Sequence, residues 1–493
     1  MAGYRHGLYI SEVPTSLIPP VRVDAAMPVF FVTAPVHLAA DPYAVTQVPK
    51  LCFTYQEAVE AFGFSLRPEI WDNYTACQAI YSQFVLYGIA PMVMVNVLDP
   101  AVHVTEVTAQ EITLVKGRAI IPADGVLIDS VIVSGGNDVT YTDGKQYTLA
   151  FDRDGFVNIN TIRGSSEPIA ENATLTVSYS KLAPEKVDIF DIIGGYSSVT
   201  GKNTGLEIVS DIFPRFRLIP GSIVAPGFSG DPAVAAVMET KASNINGHFR
   251  SIALNDIPTM NDESYLRYTD VPAWKNENNY VSTYQVNGYP MLRMGGQLFY
   301  YSVQLAGLIG KTDSLNSDIP YNGPSNKNLK ANGLSYADGS ELILNNEQAN
   351  YLNGQGVITA INWINGWVAW GNRTGVYPGN TDPKDSFIPI RRMFNWIGNT
   401  IVLTYWNKID FPISRRLIST IVDSINIWFN GLANREFILG GRIDPPSPAE
   451  NPLTDLIDGI MKFHVHVTPP PPWREGDFIL EYDPIYLQTL FDM

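Results

Sequence analysis

The chain has 493 residues, 45% of them apolar and 17% charged, and its 49 acidic against 33 basic side chains give a net charge of −16. It is too apolar for a disordered chain, and with no lysine or arginine block the acidic balance argues against nucleic acid or anionic membrane as partners. Two cysteines, Cys52 and Cys77, cannot form a disulfide framework, and the start MAGYRHGLYISEVP lacks a signal-type apolar stretch, so synthesis in a reducing cytoplasm is expected. The apolar run Met27–Ala40, broken by Pro28, Pro35 and His37, is too short to cross a bilayer.

Residues 1–27 hold one strand-like run, Gly7–Val13, with Leu8, Tyr9, Ile10 and Val13 as its apolar members, followed by Pro14, Pro19 and Pro20. A lone strand of that length has to pair with something, and the proline-rich stretch reads as an extended arm. From residue 28 to 102 the pattern is α/β. PVFFVT is a buried strand, Thr54 and Glu57 form a capping box for a helix over Tyr55–Phe62, and Gly63 ends it. Asn73 is expected to cap a helix over Tyr74–Tyr87, and PMVMVNVL at Pro91–Leu98 is a strand covered on both faces.

Between residues 103 and 186 the texture becomes all-β. Alternating runs at Gly125–Ser134, Gln146–Phe151 and Ala173–Ser180 are separated by Asp-Gly turns, which points to an inserted all-β domain. The α/β pattern resumes over 187–360 with a strand at Ser222–Ala225, a helix from Asp231 to Asn246 and a strand at Phe249–Leu254. Strand–helix–strand implies a parallel pair. A helix over Gly296–Ile309, a long polar loop over Lys311–Ser340 and a hairpin over Val357–Trp370 with Asn365-Gly366 at its turn follow.

In the part from 361 to 468, helices are expected over Ile390–Trp406 and, started by Pro412, over Ile413–Asn434. The second has an apolar stripe of Leu417, Ile421, Ile425, Trp428 and Leu432 and an outward face of Arg415, Ser419, Asp423, Asn426 and Asn430. Strands at Glu436–Ile443 and Met461–Val467 flank a proline linker. After TPPPP, the arm over 469–493 carries a last alternating run with Phe478, Ile479, Leu480 and Tyr482. The fold class is therefore mixed α/β, multidomain, with a strand segment at each end.

Chemical motifs are weak. Gly195–Asn203 resembles a phosphate loop, but five residues rather than four separate Gly195 from Gly201, and Asn203 stands where a hydroxyl is needed. His464 and His466 share a strand face and could give two zinc ligands, yet nothing nearby supplies the rest. His248 reads as a helix-end residue. No histidine adjoins a nucleophile elbow. No catalytic residue, cofactor or metal is expected. Arg391-Arg392 and Arg415-Arg416 are basic doublets beside apolar helices, either solvated surface or docking points for an acidic protein.

An ordered set of segments carries a resemblance. YRHGLYISEVP, Asp191–Leu206, IVAPGFS at Ile223–Ser229, NGWVAWGNRT at Asn365–Thr374 and the closing DFILEYDPIYLQTLF together resemble contractile tail sheath proteins of myophages and related injection particles. The resemblance implies a subtilisin-like core without proteolysis and a non-enzymatic subunit stacked in hexameric rings around an inner tube. Arms would donate strands to neighbouring copies, and Arg415, Arg416, Ser419 and Asp423 would face the tube. Its partners would be itself, the tail tube, and baseplate and tail terminator proteins, in a virion or extracellular particle assembled in a bacterial cytoplasm. A static capsid-like or surface-layer protein, or an α/β hydrolase or nucleotide-dependent enzyme, are the alternatives.

Overall fold

A computed structural model describes residues 25–135, 139–165, 167–198, 200–261 and 264–490, so Leu8, Tyr9, Ile10 and Val13 lie outside the described residues. Its centre is an eight-stranded sheet. The strands are β1 (Pro28–Val32), β2 (Lys50–Cys52), β3 (Met92–Asn96), β4 (Ser222–Val224), β5 (Ile252–Asp256), β6 (Gln285–Gly288), β7 (Val357–Trp363) and β8 (Gly366–Trp370), in the spatial order β2-β3-β1-β4-β5-β6-β7-β8. Strands β3 to β7 run parallel, and antiparallel β2 and β8 close the two sides. Every residue of β1 and β3 is buried, as continuous apolar strands require when both faces are covered.

The helices that cover it follow local rules. Helix α1 (Tyr55–Phe62) starts at Thr54, whose hydroxyl accepts from Glu57 N–H, and stops at Gly63 with φ 75°. Helix α2 (Thr75–Ile80) continues as a π-helical turn to Tyr87. Asn73 does not cap it, because its amide donates to the Glu69 carbonyl instead. Its Thr75 N–H is satisfied from just past the end of β1 by the Thr33 hydroxyl at 3.2 Å, a partner distant in sequence. Helix α3 is Val209–Phe216, and α4 (Pro232–Ser243) is capped by Asp231. Strand β5 then begins at Ile252, three residues later than Phe249.

The segment from Gly296 opens as a strand hairpin, Met291–Met294 with Gln297–Phe299, and α5 begins only at Tyr301, running to Ser314. The β7–β8 hairpin pairs Trp363 with Gly366, so its two-residue turn is Ile364-Asn365, one residue earlier than the sequence signal. Because β8 is hydrogen-bonded to β7, the body sheet runs to Trp370, past the boundary read at 360.

Helix α6 (Ile388–Tyr405) and helix α7 (Arg415–Asn434) join the same hydrophobic core as the sheet. Ser414, not Pro412, caps α7. Arg391 and Arg392 are buried at 4% exposure. Arg391 pairs with Asp385 at 3.3 Å, while Arg392 chelates Asp313 at the end of α5 and donates to the Ala25 carbonyl at 3.1 Å. This doublet is internal, not a docking surface. Removing one partner would strand a buried charge, a loss of about 3–5 kcal/mol.

Residues 104–182 form two three-stranded antiparallel sheets with a separate core that includes Leu114, Val133, Tyr147, Ile159 and Val177. The chain leaves and returns at one place, where Ala183 N–H donates to the His103 carbonyl at 2.8 Å. Arg67 fastens this segment to the body. Its guanidinium binds Asp124 at 2.7 Å and the Asp154 carbonyl at 2.8 Å, and it lies 4.2 Å over the Phe156 ring.

His37 lies under the same seam, between Tyr74 and Phe151, with neither ring nitrogen bonded among the described residues. Burial, helped by Arg67, pushes its pKa down to about 3. Between pH 6.5 and 3 the unfolded chain therefore binds the proton and the folded one does not, so stability falls on acidification. The unassembled chain should lose about 2 kcal/mol from this group between pH 7 and 5. His37→Phe should flatten that loss in paired urea titrations, and equal slopes in both proteins would contradict it.

Candidate subunit-contact surfaces

Three exposed features meet at the C-terminal end of the chain: a two-stranded sheet, an extended tail and one face of α7. The sheet pairs β9 (Gly440–Asp444) with β10 (His464–Thr468). It is held on α7 by Ile443, which is buried with Phe429, and by a side chain the sequence pattern assigns to the outside. Asn426 accepts from Ile443 N–H at 3.0 Å and donates to the Ile443 carbonyl at 3.3 Å. Since the Ile443 backbone is spent on Asn426, Ile443 and Val465 form a pair without mutual hydrogen bonds. The Val465 and Val467 backbone groups then point away from β9, along an edge that no strand occupies among the described residues.

His464 and His466 do stand side by side on β10, with ring centroids 6.4 Å apart. Each Nε2 is engaged by a carboxylate, Glu450 at 2.9 Å and Asp444 at 3.1 Å. No group of three potential metal ligands occurs among the described residues.

After β10 come four consecutive prolines, 469–472, which lack N–H donors and fix φ, so the chain is extended. No strand or helix forms between Pro469 and Asp483, and Pro484–Leu490 makes a short 3-10 helix of seven residues. Phe478 is 80%, Ile479 79%, Leu480 95% and Tyr482 79% exposed. Hydrogen bonding in this tail is local, as in the bond from Trp473 Nε1 to the Glu475 carbonyl.

On α7 the buried stripe is Val422, Ile425, Phe429 and Leu432, with Leu417, Ile421 and Trp428 partly covered. Arg415, Ser419 and Asp423 follow one another at four-residue spacing on the exposed side, and Arg416 is exposed beside them. Neither arginine has an ion pair among the described residues. The loop before α7 adds Trp406, Ile409 and Phe411, all more than half exposed.

The remaining motifs resolve into structure. Gly195–Ser197 and Lys202–Thr204 are an antiparallel hairpin, not a strand–loop–helix. Gly194 and Gly205 have positive φ because their backbones cross in contact, which leaves no room for a Cβ. His248 caps no helix, since α4 ends at Ser243; its ring packs edge-on against Trp406 at 4.9 Å. Asp256 is buried, and burial raises its pKa to about 6, yet its partners are Ser229 and Ser302, with no histidine. By accepting from Ser302 N–H at 2.7 Å it caps α5 from a neighbouring strand.

No helix among the described residues is long and apolar enough to cross a membrane. No protein-family model matches the chain. The tail sheath protein of Burkholderia phage BcepMu is 26% identical over 501 residues, covering 99% of each chain. A Pseudomonas aeruginosa (strain UCBPP-PA14) protein named as a prophage major tail sheath protein is 25% identical over 307 residues, 61% of this chain and 75% of its own. The contracted sheath complex of the extracellular contractile injection system PVC matches with TM-score 0.59 at 13% identity, over 99% of both chains. The contracted helical sheath of the anti-feeding prophage gives 0.56 at 15%, over 98% of this chain and 99% of its own. The fold is thus that of contractile sheath subunits. Over its full length the chain is also similar in sequence to a phage tail sheath protein.

Asn426→Ala would leave the buried Ile443 N–H without its partner, a loss of about 1–3 kcal/mol. Urea unfolding of the unassembled chain should show that loss together with faster amide exchange in β9. An unchanged midpoint would contradict the assignment of Asn426 as the pin of this sheet.

Proposed function

We propose that this subunit polymerises as helically stacked hexameric rings around an inner tube and shortens by repacking nearly rigid subunits, which drives the tube through a target envelope. The observation that carries the reading is the C-terminal tail. A segment with alternating apolar side chains and no backbone partners of its own is fitted to complete a sheet elsewhere. The outer edge of β10, with Val465 and Val467, is the acceptor in the next copy. A five-residue strand adds about five backbone hydrogen bonds, each contributing roughly 0.5–1.5 kcal/mol net. The arm thus holds a neighbour by several kcal/mol while the proline stretch lets the two bodies reorient. The N-terminal arm, residues 1–27 with Leu8, Tyr9, Ile10 and Val13, is assigned the same role.

Donor arms and an acceptor edge on the same subunit make head-to-tail contacts, which propagate as a helix. Switching between two packings then needs only rigid-body rotation about these tethers. In this reading residues 28–102 and 187–370 are the subtilisin-like core, without proteolysis. The all-β domain at 103–186 faces outward, and 371–468 faces the tube through Arg415, Arg416, Ser419 and Asp423. Baseplate and terminator proteins bind the ends of the stack, in a virion or an extracellular particle put together in the bacterial cytoplasm. In this reading the subunit is structural and no enzyme, and its buried carboxylate Asp256 serves as a helix cap.

Deleting residues 477–493, or 1–13, should leave thermal unfolding of the body unchanged while negative-stain microscopy finds no striated cylinders. Cylinders of normal length from either deletion would refute the arm assignment.

A further inference from the structure

An apolar groove of about 490 Å³ lies between the end of α3, the turn after α4 and the end of α6. Its volume falls in the range of ligand pockets, roughly 300–1,000 Å³. Phe213, Phe249, Val402, Leu403 and Trp406 form the walls, and Arg217 and His248 stand on the rim. Both rim groups lie against groove aromatics, Arg217 at 5.8 Å from the Phe213 ring centroid and His248 at 4.9 Å from Trp406. No carboxylate lines the groove among the described residues, in a chain whose net charge is −16. Trp406 is 57% exposed, so the groove opens to the surface.

The chain also carries the matching shape and charge. The terminal turn Pro484–Leu490 leaves Ile485 59%, Tyr486 71% and Leu490 71% exposed among the described residues. Directly before it stand Asp477, Glu481 and Asp483. The N-terminal 24 residues are a poorer complement, because Arg5, His6 and Arg22 balance Glu12 and Asp24.

We propose that the turn Pro484–Leu490 of one subunit seats in this groove of a neighbouring copy. Ile485, Tyr486 and Leu490 fill the apolar walls, and Glu481 and Asp483 face Arg217 and His248. The proposal rests on the reading that the C-terminal tail is donated to a neighbour. It adds a second anchor beyond the strand: apolar burial holds the far end of the arm, so the strand is fixed on both sides while the proline stretch flexes. The acidic approach also orients the tail, since no other charge pattern in the groove competes with the two rim cations.

Site-directed cross-linking of the assembled full-length protein tests it. Both native cysteines are buried, so introduced ones react selectively. The pairs are Leu403→Cys with Leu490→Cys and, at exposed positions that leave the core intact, His248→Cys with Tyr486→Cys. His466→Cys with Ile479→Cys reports strand addition separately. A short bifunctional maleimide should convert either groove pair into a ladder of covalent dimers and higher species, lost in every single-cysteine variant. A ladder from the strand pair but from neither groove pair would overturn the seating while leaving tail donation intact. No ladder from any pair would overturn both. Cross-linked monomers of altered mobility, showing the turn in its own groove, would also overturn the proposal.

Discussion

Every backbone N–H and C=O taken from water needs a partner, and every large apolar side chain left in water costs free energy. Within the body the backbone demand is met largely by the sheet and by distant caps. The parallel strands satisfy one another, and where a helix begins without a local cap, a side chain from another element supplies it, as Thr33 does for α2 and Asp256 for α5. The tail beyond β10 meets neither demand. Phe478, Ile479, Leu480 and Tyr482 are in water, and their backbone has no ladder. In the proposed reading this open segment completes its interactions in another molecule.

The acceptor side is equally constrained. Asn426 closes the outer edge of β9 at Ile443, so the terminal sheet can grow only along β10. One closed edge and one open edge give the sheet a direction, and a directional contact between identical copies propagates instead of closing into a dimer. The buried Arg392–Asp313 pair and the common core tie α6 and α7 to the sheet, so force taken up at β10 passes into the body through packed helices and not through a loose linker. Arg67 likewise fastens the all-β segment to the body.

The elements legible in the sequence are those whose reasons are local. PVFFV announces a strand covered on both faces, Thr54 and Gly63 bracket α1, and Asp231-Pro232 starts α4. What stayed hidden depends on partners far along the chain. Strand β6 reads Gln-Val-Asn-Gly, a loop by composition, but Asn287 accepts from Asn255 on β5 at 3.2 Å and donates to the Tyr280 carbonyl, so its polarity is satisfied inside the sheet. Arg391 and Arg392 look solvent-facing until Asp385 and Asp313 are brought to them. Asn426 sits on the polar side of the α7 helical wheel, yet it is the residue that fastens β9. The tail itself was readable, because alternation after a proline run is a local signal. The groove at Trp406 was not, since its walls come from three separate elements.

Amide hydrogen exchange on residues 478–482, measured in the unassembled subunit and in the assembled cylinder, bears most directly on tail donation. Near-random-coil exchange in the free subunit should give way to protection of at least a thousandfold, about 4 kcal/mol, once cylinders form. Protection already present in the free subunit, or fast exchange persisting in the cylinder, would contradict it.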